Sequence, residues 1–140
     1  MRKTARAFID EMDRLGIKYN QGRDTDDGKS IVMCSVRGKN NAVYEVFFIF
    51  DQDDSSVCMQ VFKLVTFPED RTARIFDTLN ELNRKYRWLK FYSDHDCNIH
   101  VQEDAALVGE DGGKYCVRML LRIMKIIDEA YPEIMRALWA

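Results

Sequence analysis

Apolar residues first recur at helical spacing. Ala5, Phe8, Ile9, Met12 and Leu15 share one face, Thr4 precedes them as a cap and Gly16 follows as a stop. IKYNQGRDTDDGKS then reads as a short extended piece and a polar loop marked by Gly22, Asp26, Asp27 and Gly28. Three strand-like runs follow: SIVMCSV (Ser30 to Val36), VYEVFFIF (Val43 to Phe50) and SVCMQVFKLV (Ser56 to Val65). Short polar turns separate them, which predicts an antiparallel meander. TFPEDRTARIFDTLNELNRKY predicts a second helix, with Thr66 and Glu69 at capping-box spacing. WLKFY (Trp88 to Tyr92) and NIHVQ (Asn98 to Gln102) predict two more strands. A last helix runs from about Lys114 to Tyr131, where Pro132 interrupts or restarts it before a helical tail.

The order is therefore α-β-β-β-α-β-β-α. Strands in runs between helices predict an α+β fold, with an antiparallel five-stranded sheet and three helices. The 140 residues, 46% of them apolar, suit a single domain over 1–140. No apolar run approaches the roughly 20 residues of a membrane span, and the first residues have no continuous apolar core of a signal peptide. The expected location is the cytoplasm. Cys34, Cys58, Cys97 and Cys116 form no CxxC pair and are read as reduced thiols.

The apolar pattern exceeds what one sheet face needs. In the second strand Tyr44, Val46, Phe48 and Phe50 point one way, while Phe47 and Ile49 point the other. In the fourth predicted strand, Leu89 and Phe91 oppose Trp88 and Tyr92. The last helix carries two apolar flanks, and only Arg118, Arg122, Lys125 and Glu129 make a polar strip. Three helices are few for covering both faces of five strands. The expected use of the surplus is a protein interface, with Phe47, Ile49, Trp88, Tyr92, Met119, Ile123 and Ile126 as contacts.

SDHDCNIHV (Ser93 to Val101) is the most enzyme-like stretch. A metal site needs converging ligands, but Asp94, His95 and Asp96 are consecutive and splay in a turn, and no third or fourth ligand is specified. A Cys97–His nucleophile pair would sit beside Asp94 and Asp96, whose charge disfavours a thiolate. Asp and Asn are turn formers, so the stretch is read as a hairpin, with His100 pointing away from the core. A metal-binding or hydrolytic enzyme using Asp94, His95, Cys97 and His100 stands as the alternative. DQDDSSV lacks the glycine and glutamate of a calcium loop. GEDGGKY lacks the first glycine and the Ser/Thr of a phosphate loop. No cofactor is expected.

The net charge is -2, yet the charge is segregated. Arg71 to Lys90 carries six basic and two acidic residues; Asp94 to Asp111 carries six acidic and no Lys or Arg. Arg84, Lys85 and Arg87 are candidates for orienting a partner. Nucleic-acid binding through Arg84 to Lys90 is a second alternative, disfavoured by the net acidity.

TFPEDRTARIFDTLNELNRKYRWLKFYSD, followed by a strand and a terminal helix carrying DEAYPEI, resembles the YbjN-like bacterial proteins over about Ala5 to Leu138. The repeated Asn of LNELN, the Lys-Phe after it and the element order carry the likeness. Cys97 departs from the Gly or polar residue expected at its hairpin position. The resemblance implies a fold like that of the type III secretion chaperones, which are commonly dimers that bind extended segments of partners. It also implies a regulatory role and no catalytic residues. The expected function is thus a non-enzymatic, chaperone-like or regulatory protein-binding module, self-associating as a homodimer and burying an apolar segment of a partner polypeptide.

Overall fold

The computed structural model describes all 140 residues. In chain order the elements are α1 (Lys3–Leu15), β1 (Asn20–Asp24), β2 (Ser30–Arg37), β3 (Val43–Phe50) and β4 (Ser56–Thr66). A 3-10 turn (Glu69–Arg71) then leads into α2 (Thr72–Lys85), β5 (Lys90–Ser93), β6 (Asn98–Ala106) and α3 (Gly112–Trp139). The sheet order is β1-β2-β3-β4-β6-β5, antiparallel at every pairing. β1 to β4 form a meander. α2 then carries the chain past one strand position to the far edge, and the β5–β6 hairpin returns to pair with β4.

The class is α+β as predicted, but the sheet has six strands rather than five. The extra strand, NQGRD, has almost no buried side chain. It is held to β2 by backbone pairing at an edge, so no apolar alternation betrays it. The fourth predicted strand also shortens: Trp88 lies before β5, in the bend that follows α2. Both predicted caps find other partners. α1 begins after Arg2, and the Thr4 hydroxyl donates to Asp54 Oδ1 (2.7 Å). The Thr66 hydroxyl donates to Asn98 Oδ1 (2.6 Å).

All three helices lie on one face of the sheet. Phe8 of α1 packs against Phe48 of β3, with ring centroids 4.4 Å apart and the rings tilted by 41°. α2 sits by β5, where Asn83 donates to the Phe91 carbonyl (2.9 Å) and accepts from its N–H (2.8 Å). α3 lies between α1 and α2 and meets the sheet on its third side. That placement explains its two apolar flanks. Met119, Ile123 and Ile126, expected as partner contacts, are interior residues; Met119 and Ile123 are fully buried. No helix of the chain is long and apolar enough to cross a membrane.

α3 is continuous through Pro132. Proline supplies no N–H, so the Asp128 carbonyl four residues earlier loses its helical donor. Asn40 Nδ2 fills the gap at 2.8 Å, while the Lys39 N–H donates to Asp128 Oδ1 (2.9 Å). The β2–β3 turn thereby docks where the helix would otherwise break.

α1 and α3 cross at a glycine. A Cβ built on Gly113 would lie 2.4 Å from the Ala7 carbonyl oxygen and 2.7 Å from its carbon. The obstacle is backbone and cannot swing aside. Gly113→Ala is expected to lower stability by roughly 2–3 kcal/mol, read as a fall in the urea midpoint. Full retention of the midpoint would show that the helices separate freely.

Candidate functional site

The enzyme-like stretch forms the β5–β6 hairpin, and its polar groups are consumed in building it. Asp94 Oδ1 accepts from the N–H groups of Asp96 (2.9 Å) and Asn98 (3.0 Å). Its Oδ2 accepts from Asn98 Nδ2 (3.2 Å) and meets His100 Nε2 at 2.8 Å. These bonds hold the Asp94 carboxyl well below the usual carboxylate range, the Asn98 N–H first and His100 next. Cys97 occupies the left-handed position of the turn, with φ 61°. That is where Gly or a polar turn residue is expected, and the cysteine adopts the conformation regardless.

His100 is on the sheet face away from the helices, as the two-residue period predicts. It is not, however, an outward-pointing free group, since only 7% of it is exposed. Its Nδ1 accepts the Lys63 N–H at 3.0 Å, so the ring proton resides on Nε2 and is donated to Asp94. Lys63 belongs to a bulge in β4, between Val61 and Val65, with φ 54°. His100 therefore satisfies an amide that the bulge removes from the ladder. With both nitrogens engaged, neither is available to a metal or a substrate. No group of three or more His, Cys, Asp or Glu side chains is placed to hold a metal. Burial pushes the Cys34 thiol up to about 11 and those of Cys58 and Cys116 up to about 12, so none of the three is an activated nucleophile.

What the structure does assemble is a broad surface on the uncovered face of the sheet. Ile31 and Met33 of β2 pair with Ile49 and Phe47 of β3; Phe47 pairs with Gln60 of β4, and Gln60 with Gln102 of β6. Aromatic rings cross the strands from one side to the other. Phe47 meets Phe62 at 5.7 Å, Phe62 meets His100 at 5.9 Å, and His100 meets Tyr92 at 5.2 Å, between centroids. Phe62 is half exposed. Gln60, although 4% exposed, is held in place by donation to the Tyr92 hydroxyl (3.0 Å). Side chains of this central area carry no formal charge, and the charged ones, Arg23, Arg37, Glu45, Lys90, Asp94 and Asp104, stand at its margins.

Of the sequence candidates, Phe47, Ile49 and Tyr92 fall on this face. Trp88 does not; it sits on the helical side, half exposed. Arg84 and Lys85 pair with Glu81 (3.0 Å) and Glu133 (3.3 Å), while Arg87 lies over the Trp88 ring. Ile31, Met33 and Phe62 were missed by sequence reasoning. For Phe62 the signal was present: continuing the alternation of Val57, Met59 and Val61 would put Lys63 in the core, so the register must shift there.

A family model matches residues 7–134; the family is YbjN, described as "Putative bacterial sensory transduction regulator". Among solved structures, the crystal structure of YbjN from E. coli is similar with a TM-score of 0.61, covering 92% of this chain and 92% of that chain at 13% identity. At that identity the likeness carries the fold. No curated protein matches the sequence.

The hairpin carries a pH signature. Because the folded-state carboxyl of Asp94 is depressed, its ionised form stabilises the fold above the unfolded value of about 4. That contribution fades as the pH falls below it. Asp94→Ala is expected to be less stable than the parent at pH 7, with the difference narrowing at acid pH in thermal melts. A difference independent of pH would assign the loss to packing instead.

Proposed function

Because the chain belongs to the YbjN family, we propose that it is a non-enzymatic regulatory module that acts by binding polypeptide, with the open sheet face as its contact surface. The observation that carries this reading is the make-up of that face. Its centre is aromatic, aliphatic and amide, with charge confined to the rim. Depletion of charge at the centre, with aromatic residues and Met in its place, is what separates interface cores from ordinary surface. A solvated antiparallel face would instead alternate apolar-in with polar-out.

The occupant that fits is a second copy of this chain. The uncharged centre spans about 20 Å across the strands, at about 4.8 Å spacing, and about 20 Å along them. That is on the order of 400 Å², against about 800 Å² per partner in a stable contact. The rim must therefore take part, and it carries both signs: Arg23, Arg37 and Lys90 against Glu45, Asp94 and Asp104. A two-fold contact sets a surface against itself, so a rim of mixed sign is what it requires. An apolar segment of a different protein on the same face is the second reading, and the experiment separates them.

Light scattering on the purified chain at micromolar concentration is expected to give a mass near twice that of one chain. Phe47→Glu and Phe62→Glu, both on the outer face, are expected to return it to one chain with unchanged circular dichroism. A parent protein that is already a monomer removes the second copy as occupant. A peptide array then decides the broader reading: no peptide retained by the parent and lost by Phe47→Glu would overturn it.

A further inference from the structure

α3 turns another surface to solvent, on the side away from the open sheet. Arg118, Leu121, Arg122 and Lys125 follow one another at three- and four-residue spacing and share a flank. Leu121 is 52% exposed. Arg118 and Lys125 are exposed, and the ion pairs of this region go to Arg84, Lys85 and Arg122 instead.

Trp88 lies against this flank. The guanidinium carbons of Arg122 and Arg87 stand 4.6 Å and 5.4 Å from its ring centre, and the indole is still 49% exposed. Tryptophan and arginine are the residues that most often dominate protein contacts. Arg122 is fixed from beneath, since its Nη2 donates to Glu103 Oε2 at 2.6 Å. Glu103 is 5% exposed on the inward face of β6. Burial pushes its carboxyl up, and Arg122 only partly offsets this.

Stability does not account for that buried pair. Glu103 Oε1 and Arg122 Nε are both buried without a hydrogen-bond partner. An incompletely bonded buried pair is commonly no better than packed apolar side chains. What it does achieve is to hold one guanidinium over the indole ring, with further cations along the same helix.

We infer that this flank is a docking surface for a short acidic segment of a partner polypeptide. Carboxylates of the segment meet Arg87, Arg118 and Lys125, and an apolar side chain packs on Trp88 and Leu121. From Arg118 to Lys125 the helix rises about 10 Å, at about 1.5 Å per residue, a length that about three residues of extended chain cover. Acidic residues close both ends: Glu110 and Asp111 precede α3, and Asp128 and Glu129 follow Lys125. A polyanion running past the patch meets repulsion there. This selects a short acidic stretch over duplex nucleic acid, which carries one charge about every 1.7 Å. The surface is separate from the sheet face and does not depend on what occupies that face.

The probe is a fluorescein-labelled Asp-Glu-Leu-Glu-Asp peptide, titrated into the full chain by anisotropy. The control is the same peptide with Asn and Gln in place of the acids. Saturable binding of the acidic peptide alone, weakening with added salt, is expected. Trp88→Ala and the double variant Arg118→Ala, Lys125→Ala are each expected to weaken it roughly tenfold, whereas Lys18→Ala, which removes an exposed cation between α1 and β1, leaves it unchanged. In a Trp139→Phe background, Trp88 emission is expected to shift on binding. Equal binding of the neutral peptide, or no loss in either flank variant, overturns the proposal. So does tighter, salt-sensitive binding of a labelled oligonucleotide that the same variants abolish, which would assign the flank to nucleic acid.

Discussion

α3 touches three partners at once, and the close approach at Gly113 makes this possible. With no Cβ there, the α1 backbone at Ala7 comes into contact with the start of a 28-residue helix. Once α1 lies on one flank and α2 on the other, α3 is enclosed on three sides, and its remaining polar strip faces water. No helix is left for the second face of the sheet. The open face, the buried apolar flanks and the exposed cationic strip are thus consequences of one packing arrangement.

The same arrangement explains why the proline is harmless. A helix end free in solution would break at Pro132, where an amide donor is missing. Here the β2–β3 turn is already close, and Asn40 supplies the missing donor to the Asp128 carbonyl. A long-range side-chain contact replaces a local backbone bond, and the two lie 88 residues apart in sequence. Local reading of the proline had no access to it.

The class, the element order and the inward faces of the strands were legible because burial imposes a two-residue period on strands and a helical period on helices. β1 was not, since it buries no apolar side chain and is held by backbone pairing at an edge and by polar contacts of Asp24. The assignment of Met119, Ile123 and Ile126 to a surface failed for a different reason. Periodicity reports how many sides of a helix are apolar, but not whether another helix or another molecule covers them. Polar residues at inward positions were the better guide to irregularity. Lys63 marks the bulge that His100 satisfies, and Glu103 marks the buried partner of Arg122. The hairpin makes a related point. Its Asp, His and Cys have the residue types of a catalytic site, but a carboxylate that already accepts four hydrogen bonds, and an imidazole with both nitrogens engaged, serve the turn.

The two proposed surfaces occupy opposite sides of the layered fold, and this has a consequence for how they work together. A contact through the open sheet faces places two sheets back to back and leaves the helices of both copies outward. Each assembly then displays two Arg87–Trp88–Arg122 flanks. A single flank of a few cations binds weakly in salt, because exposed charge pairs are individually worth little. Two flanks held at fixed separation convert the second encounter into an intramolecular one, and the gain depends on whether the partner's acidic stretches span the distance. Self-association would then set the affinity of the module without altering a residue that touches the partner, so that chain concentration itself becomes the regulated variable.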